Sequence, residues 1–512
     1  MEHSTIDTPS EDLLADLSKK STIITRPLID YDESLPHRRT LGLYSTCVLF
    51  IGRMLGSGIF GTPGLILKDS QGSYTLYLFS WIIGGILAYT GLNLYLEFGS
   101  YLPVNGATKR FLEYSFPRPK FFTTIVYGSF AILFSISSAN ALLFGEYFRY
   151  SLGFSPNEFW TTLTASALIL GCGLLHFFNR EVALRVQGCL AFCKMLLWIT
   201  ILMTCFYVLF TPRSYTHLPN NISRVQFRLP EKVQFFSSSY STALLKCIHT
   251  FGGWTTAHTV QNEIKNPIDT LKLAGRISIL LTALIYAFLN ISYLMILTPE
   301  ELIKYGQLAG ALFFNKIYGE KIASQFINLL VSLNSATNVL IAVYSSAIMN
   351  QEIFRQGFLP LSEVLCTNAP KGTPSFGILI HCCLSIVVLL IPSTSLYNLI
   401  ISSQYYPNQL FHAILCLALL FKVRKRFSNI HAPIRANTIS VYVCLLGSVS
   451  VVISPFLSGR YNFTLYSYGF LGLASVYWAL TTQLLPNLFG YKYKVVPMKK
   501  ADGLIYFKWI KT

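Results

Sequence analysis

The chain has 512 residues, of which 52% are hydrophobic and only 12% are charged. A water-soluble domain carries about 25% charged residues, so this composition excludes an ordinary soluble enzyme or signalling domain. The formal net charge of +17 would suggest nucleic acid as a partner of a soluble protein, but here the cations stand between long apolar runs, which indicates a membrane protein and no nucleic-acid partner.

Apolar runs long enough to cross a lipid bilayer recur along the chain. A spanning helix needs about 20 predominantly apolar residues. Runs of that kind predict spans at 41–66, 74–98, 121–148, 159–178, 188–210, 239–262, 274–297, 322–349, 374–392, 395–421, 438–458 and 462–485. We therefore predict a disordered polar tail at 1–40, a transmembrane domain at 41–486 and a second tail at 487–512.

The positively charged residues predict which side of the membrane each segment faces. With an even number of spans both tails lie on one side. Placing them in the cytoplasm assigns about 27 Lys and Arg residues to inner segments and about 10 to outer segments. This bias predicts cytoplasmic termini. The third run ends in Glu146 and Arg149, which indicates tilt or projection into the headgroups.

The first span contains a sequence that cannot form a continuous helix. Residues 52–64 hold five glycines and a proline. Unwound backbone at membrane depth is tolerated where it lines a cavity or is buried in protein. We expect the N–H groups of Gly56, Ser57 and Gly58 to face an anion, helped by the positive end of the following half-helix. The alternative is close helix packing through small residues.

The sixth run carries a second break. Gly252 and Gly253 stand between Phe251 and Trp254, and carbonyl groups freed there would accept hydrogen bonds from an ammonium group. The first and sixth spans occupy matching places in two five-helix halves, which is the pattern of an inverted-repeat transporter. A carboxylate site that faces an ammonium site suits an α-amino acid.

Four motifs, in this order, resemble those of the amino acid/polyamine/organocation (APC) transporters, L-type branch. They are GSGIF at 56–60, PVNGA at 103–107, Trp254 followed by EIKNP at 263–267, and RQGFLP at 355–360. The resemblance covers residues 41–485. Arg53 next to Met54 is similar to the fungal methionine permeases within that branch.

The resemblance implies an all-α membrane fold of about 12 transmembrane helices, with a LeuT-like five-plus-five inverted repeat and two further helices. The residues that it implies for contact with the substrate backbone are Met54 (through its carbonyl), Ser57, Gly58, His249, Thr250, Phe251 and Gly252. His249 stands where relatives often have an aromatic gate, and Thr255 stands where they have asparagine. The side-chain specificity is therefore left open.

Charged side chains inside the spans are further functional candidates, because each costs on the order of 3 kcal/mol or more. Lys194 lies in the fifth run, and the resemblance implies that its ammonium takes the place of sodium in sodium-coupled relatives. An ammonium can donate to the oxygens that would coordinate the ion. The alternative is a side chain that snorkels to the headgroups. Arg53 and Lys246 also lie inside spans, and their roles stay open.

The chain has no HExxH, GxSxG or Walker A motif and no cluster with metal-ligand spacing, so we predict no enzyme activity, no metal and no cofactor. The resemblance implies a permease that imports neutral L-amino acids, methionine first, across the plasma membrane with protons. Two alternatives stay open: an amino-acid sensor with little transport, and a permease for another amino acid or an organic cation.

The segments outside the bilayer limit the partners. Residues 149–158 contain no cysteine of the kind that links animal L-type transporters to a heavy-chain glycoprotein, so no such partner is expected. Lys19 and Lys20 in the acidic N-terminal tail are candidate ubiquitin acceptors, which would require a ubiquitin-ligase adaptor. A plain solvated tail is the alternative.

Overall fold

A computed structural model describes most of the chain from residue 41 onward. The described residues are 41–56, 58–102, 106–211, 219, 221, 238–259, 261, 264–319, 322–368, 372–391, 396–426, 433–457, 462–500 and 504–512. Two of the predictions above, the N-terminal tail and Ser57 of the first break, therefore lie outside the described residues.

The first part of the chain forms five spans. Its helices are α1 (Leu43–Met54), α2 (Gly58–Gly61), α3 (Pro63–Asp69), α4 (Tyr74–Tyr101), α5 (Ala107–Ser115), α6 (Phe122–Phe134), α7 (Ser138–Ser151), α8 (Glu158–Phe178) and α9 (Arg180–Phe210). The first span consists of α1 to α3 and the third of α6 and α7. Asn179 separates α8 from α9, and its side chain accepts the N–H of Val182 at 3.1 Å as an N-cap.

The second part forms seven spans and a hairpin. Its helices are α10 (Ser238–Thr250), α11 (Thr256–Thr259), α12 (Pro267–Ile296), α13 (Pro299–Tyr305), α14 (Ala309–Tyr318), α15 (Ile322–Phe354), α16 (Ser362–Leu365), α17 (Ser375–Leu389), α18 (Leu396–Ala418), α19 (Arg424–Arg426), α20 (Thr438–Leu457), α21 (Asn462–Ala479) and α22 (Leu485–Phe489). Strands β1 (Tyr493–Lys499) and β2 (Ile505–Lys511) pair antiparallel. A 3₁₀ turn at Gly306–Leu308 joins α13 to α14.

Each of the twelve predicted runs coincides with a helix or a broken helix in the described residues. Nine helices in that part of the chain are long and apolar enough to cross a membrane. The other three spans are the sixth, in which α10 and α11 are separated, the 15-residue α17 and the 18-residue α21. The predicted all-α membrane fold of about 12 spans is confirmed.

The ends of the spans define two faces of the molecule. The lid (residues 299–318, comprising α13, the 3₁₀ turn and α14) packs on the ends of the first and third spans. A Cβ added to Gly64 would lie 2.2 Å from the Leu302 carbonyl oxygen, so the lid backbone is in direct contact with α3. We call this side the lid face. The opposite side, which carries the C-terminal hairpin, is the tail face.

The hairpin holds the end of the chain against the tail-face end of α15. The N–H of Phe507 donates to the Arg355 carbonyl at 2.7 Å, and Arg355 Nε donates to the Ile505 carbonyl at 2.6 Å. Gly357 has φ +78°, and an added Cβ would lie 1.9 Å from the Phe507 carbonyl oxygen, so this glycine is required for docking. The RQGFLP motif therefore receives the hairpin, a structure that the sequence pattern did not predict.

The third span is also broken, between α6 and α7. Gln404 on α18 donates to the carbonyls of Phe134 and Ile136, both at 2.9 Å. Ser138 donates to the Ser385 carbonyl on α17 at 2.8 Å. Side chains of neighbouring spans thus satisfy the polar groups that the break frees. The apolar pattern of the third run carried no sign of this break.

A two-bonded ion pair joins the second and tenth spans at the tail face. Arg424 donates from Nε to Glu97 Oε1 at 2.9 Å and from Nη2 to Oε2 at 2.7 Å. Glu97 is completely buried, and it also accepts the N–H of Ala436 at 2.8 Å. A buried carboxylate that loses its partner is left as an uncompensated charge, so this pair matters for stability.

We predict that Arg424→Ala lowers the free energy of unfolding by about 3–5 kcal/mol, because it leaves the buried Glu97 unpaired. The measurement is the apparent Tm of the purified protein in detergent. Lys425→Ala is the matched control, since Lys425 is the adjacent cation and is exposed. An equal loss of stability in both variants would contradict the assigned role of the ion pair.

Candidate functional site

The first break separates α1, which ends at Met54, from α2, which begins at Gly58. The N–H of Gly56 donates to the Met54 carbonyl at 2.7 Å. The expectation that the Gly56 N–H is free to face an anion is therefore wrong in this conformation, because the chain turns tightly enough to satisfy it locally. Gly58 remains at the start of the second half of the span.

The sixth-span break crosses the first span at its glycine pair. Gly253 has φ +107°, and a Cβ added there would lie 2.9 Å from the backbone carbon of Arg53. A Cβ on Gly252 would lie 2.7 Å from the Tyr405 hydroxyl and 2.8 Å from the His249 carbonyl oxygen. Both positions thus need glycine, one for its backbone angle and both for close approach. The two breaks predicted from the sequence are adjacent in the structure.

The hydroxyl of Tyr286, on α12, joins the two breaks. Its oxygen lies 2.5 Å from the Met54 carbonyl oxygen and 3.1 Å from the Thr250 carbonyl oxygen. Both carbonyls stand at helix ends, where intrahelical partners are missing. Tyr286 is 1% exposed, so water does not replace this contact. The sequence did not single out Tyr286, because a tyrosine in an apolar run has no pattern that reveals its partners.

Two threonines hold the inner ends of the broken helices together. Thr62 Oγ1 lies 2.9 Å from Thr250 Oγ1, and Thr250 in turn donates to the Lys246 carbonyl at 2.8 Å. A Cβ added to Gly58 would lie 3.2 Å from Thr250 Cα, which is tighter than ordinary contact. Gly58 and Thr250, both predicted substrate contacts, are therefore in contact with each other.

The remaining predicted contacts on the sixth span differ in their surroundings. The Phe251 ring packs in the core, with ring centroids 5.0 Å from Tyr286 and 6.2 Å from Trp81. The His249 ring stands edge-on to Tyr405 at 4.7 Å, and its Nδ1 has no hydrogen-bond partner among the described residues. The Phe251 side chain is thus engaged in aromatic packing, whereas the His249 ring has a polar nitrogen without a partner among the described residues.

Lys194 on α9 is directed at the end of α1. Its ammonium donates to the Gly52 carbonyl and to Asn338 Oδ1, the latter at 3.0 Å, and the residue is 5% exposed. The alternative of a side chain that snorkels to the headgroups is therefore wrong. Asn338 on α15 was missed by the sequence reasoning, although four of the five buried residues from Asn334 to Asn338 are polar in an otherwise apolar span.

Lys246, whose role the sequence left open, pairs with Asp69. The Lys246 ammonium lies 2.5 Å from Asp69 Oδ2. This pair connects α10 to the end of α3, so it joins the two broken spans on the lid side of the breaks. Together with the contact between Thr62 and Thr250, it fixes the lid-side halves of the two spans to each other.

A cavity extends from the sixth-span break toward the tail face. Its walls come from the second, third, sixth, eighth, tenth and eleventh spans and from the start of α5. Its polar lining includes Thr108, Tyr127, Asn408, Gln409, His412 and Ser448. None of the described residues that line it is Asp, Glu, Lys or Arg. An uncharged wall suits a neutral ligand, because an isolated charge would lose its hydration without gaining a partner.

The lid face is closed in this conformation. The lid contains an ion pair between Lys316 and Glu301, 2.6 Å apart. Burial alone would raise the pKa of Glu301, but the hydrogen bond from the Lys316 ammonium brings that pKa below its usual value. The Tyr147 hydroxyl also donates to the Gln307 carbonyl at 3.1 Å. Access to the breaks is thus blocked from the lid face, whereas the cavity reaches Gly106 on the tail face.

Known proteins resemble this sequence over most of their length. The profile of a family described as amino acid permease matches residues 41–479. The low-affinity methionine permease of Saccharomyces cerevisiae is 32% identical over 93% of this chain and 88% of its own length. The high-affinity methionine permease of the same yeast is 27% identical over 91% and 83%. The human Asc-type amino acid transporter 1 is 26% identical over 83% and 79%.

We predict that Tyr286→Phe destabilises the protein by about 1–3 kcal/mol, because a buried carbonyl at one of the breaks loses its donor. A fall in the apparent Tm of the purified protein would report this loss. Tyr207→Phe is the control, since the Tyr207 side chain lies on α9 and is 45% exposed. Equal Tm values for wild type and Tyr286→Phe would mean that the hydroxyl does not hold the breaks together.

Proposed function

The chain belongs to the amino acid permease family, within the APC superfamily and its L-type branch, and we propose that it imports neutral L-amino acids, methionine first, across the plasma membrane together with protons. The observation that carries this proposal is the juxtaposition of the two breaks at Tyr286. An α-amino acid carries its carboxylate and its ammonium on one α-carbon. The helix that begins at Gly58 would offer N–H groups to the carboxylate, and the helix that ends at Thr250 would offer carbonyl groups to the ammonium.

The substrate backbone would lie between the two breaks. The carboxylate would bind at Ser57 and Gly58, where the second half of the first span begins and its dipole is positive. The ammonium would bind on the side of the Met54 carbonyl and of the sixth-span backbone at Thr250 and Gly252. A ligand that contacts the Met54 carbonyl must share this carbonyl with the Tyr286 hydroxyl or displace that hydroxyl. The hydrogen bond of Tyr286 would therefore change when substrate binds.

Methionine is supported by two observations. Two yeast relatives that align along most of this chain carry methionine permease in their names. The cavity on the tail-face side of the breaks has a lining of described residues that is uncharged and includes Met349 and Tyr405. The thioether sulfur of a methionine substrate would pack favourably on the aromatic ring of Tyr405. The polar His249 in place of an aromatic gate widens the range of neutral side chains that the site would accept.

Lys194 supports transport without sodium. Its ammonium binds the Gly52 carbonyl and Asn338, and thereby connects the fifth, first and eighth spans. A fixed positive charge at this position removes the need for a bound sodium ion to hold the first span against the eighth. We therefore propose protons as the coupling ion. We also propose that the tail face lies in the cytoplasm, in agreement with the distribution of Lys and Arg.

The rival functions make different demands on the molecule. An organic-cation permease needs a carboxylate beside its ligand, and the part of the cavity lining that the structure describes supplies none. A sensor needs only the binding site and a signalling surface, and the N-terminal tail would provide that surface. We also propose that this tail, with Lys19 and Lys20, binds a ubiquitin-ligase adaptor. We expect no disulfide-linked heavy-chain glycoprotein, since residues 149–158 lack cysteine.

Uptake of a labelled amino-acid panel into cells that lack their own methionine uptake tests the proposal. We expect saturable methionine accumulation that competes with other neutral amino acids and collapses with a protonophore. Normal surface expression with specific methionine binding but no uptake would favour the sensor. Uptake of a polyamine or choline instead of amino acids would overturn the assigned substrate class.

We predict that wild-type uptake is unchanged in sodium-free buffer and that Lys194→Ala sharply slows turnover. The substitution leaves the Gly52 carbonyl and Asn338 without their donor, at a cost of about 1–3 kcal/mol each. Lys194→Arg should rescue poorly, because a planar guanidinium does not fit a compact ammonium site. Lys304→Ala, at an exposed lysine of the lid, is the control. Sodium-stimulated wild-type uptake, or full activity of Lys194→Ala, would refute the coupling role.

A further inference from the structure

One face of the C-terminal hairpin carries lysines and apolar side chains that are exposed together. In the register of β1 and β2, Lys494 stands opposite Ile510, and Lys508 lies on the same side two residues earlier in β2. Lys492 continues the alternation, because it exchanges backbone hydrogen bonds with Thr512 at 2.8 Å. Opposed residues of an antiparallel pair share one face, and so do alternate residues along each strand. The exposed residues of this face, which we call the outer face of the hairpin, are Lys492, Lys494, Met498, Lys508 and Ile510.

The opposite face of the hairpin is packed against the membrane domain. The centroid of the Trp509 ring lies 4.4 Å from that of Phe121, and Trp509 Nε1 donates to the Gln356 carbonyl at 2.9 Å. The backbone hydrogen bonds to Arg355 act on the same side. Because these contacts fix the inner face, the outer face is the side of the hairpin that is left open on the tail face of the molecule.

The outer face has an excess of positive charge. Lys508 lies 3.7 Å from a Glu363 oxygen, and both of these side chains are exposed. Lys492 and Lys494 form no ion pair with any of the residues that the structure describes. Residues 487–512 contain six lysines and one acid. Since an ion pair between exposed side chains is weak, Glu363 does not neutralise this surface, which therefore suits an acidic partner.

The beginning of the chain has the complementary composition. Residues 7–17 read DTPSEDLLADL and contain four acids and no Lys, Arg or His, and we call them the acidic segment. Leu13 and Leu17 stand four residues apart, so a helical turn would place both on one side. The acids match the lysines of the outer face, and the leucines match Ile510 and Met498, which are 42% and 39% exposed. Charge and apolar surface are thus complementary within one short stretch.

The acidic segment can reach the hairpin. The first span runs from Leu43 on the tail face toward the lid, and the Leu41 carbonyl accepts the N–H of Lys265 at 2.8 Å. About 24 residues connect Leu17 to Leu41, and a disordered chain of that length typically spans about 25–29 Å and at most about 80 Å. Twelve helices packed about 8–10 Å apart form a domain roughly 40 Å across. The tether also gives the segment an effective concentration on the order of millimolar, which favours it over the same segment of a second copy.

We propose that the acidic segment docks on the outer face of the hairpin, so that the two ends of one chain bind each other on the tail face. Its carboxylates pair with the lysines, and Leu13 and Leu17 cover Ile510. The contact depends neither on the transported substrate nor on the coupling ion. Lys19 and Lys20 follow the segment directly, so the contact also holds these candidate ubiquitin acceptors against the tail face, a consequence that rests on their proposed role.

Hydrogen–deuterium exchange of the purified full-length protein in a non-ionic detergent tests the contact. In wild type, we expect peptides of the acidic segment to exchange at least about ten-fold more slowly in about 50 mM salt than in about 1 M salt, because salt screens the pairs. Asp12→Lys with Asp16→Lys should remove this protection. Lys494→Glu with Lys508→Glu should remove it as well, and all four substitutions together should restore it. Lys425→Glu, at an exposed lysine outside the hairpin, should behave as wild type.

The outcomes distinguish the possible occupants of the outer face. Equal exchange of the acidic segment in wild type and in both charge-reversed pairs would overturn the docking, and so would a fourfold variant that stays unprotected. Protection that disappears on dilution would assign the segment to a second copy. If nanodiscs with phosphatidylserine protect the hairpin while the acidic segment stays unprotected, the outer face binds lipid headgroups and the proposal is wrong. The substitutions in the acidic segment lie outside the membrane domain, so they decide the question even if the hairpin variants fail to fold.

Discussion

Backbone that unwinds inside a membrane must find its hydrogen-bond partners within the protein, and this requirement organises the molecule. The partners come from other spans. The Tyr286 hydroxyl lies within hydrogen-bond distance of one carbonyl at each of the two breaks. Gln404 donates to two carbonyls at the break in the third span, and the Lys194 ammonium donates to a carbonyl near the end of α1. Since each break depends on side chains of other spans, we expect a substitution at one break to alter the packing of several spans.

The two faces of the molecule are held together by different contacts, and only the lid face is closed. On the lid face, backbone contact at Gly64 and the hydrogen bonds to Gln307 keep the lid on the first and third spans. On the tail face, the ion pair of Glu97 with Arg424 joins the second and tenth spans, while the cavity still reaches the sixth-span break. Alternating access requires that one face opens as the other closes. The lid contacts are weaker than the buried ion pair, which suits them to breaking in each cycle.

The sequence predicted the parts of the structure that one segment determines alone. Hydrophobic length located the spans, and glycines at Gly58, Gly252 and Gly253 located the breaks, because each signal is local. The partners of those breaks were not predictable, since nothing near Tyr286 or Asn338 in the chain reveals which residues they contact. The C-terminal hairpin was missed because its two strands of seven residues each lie in a short tail outside the apolar runs that located the spans.

The most direct test of the account is whether the site needs both charged ends of an amino acid. Binding of L-methionine, its methyl ester and its N-acetyl derivative to the purified protein would be compared in sodium-free buffer. We predict that each derivative binds at least about ten-fold more weakly than methionine, because each loses charge-assisted hydrogen bonds at one break. Equal affinity for methionine and N-acetylmethionine would show that the sixth-span break does not bind the ammonium, and the two-break site would be wrong.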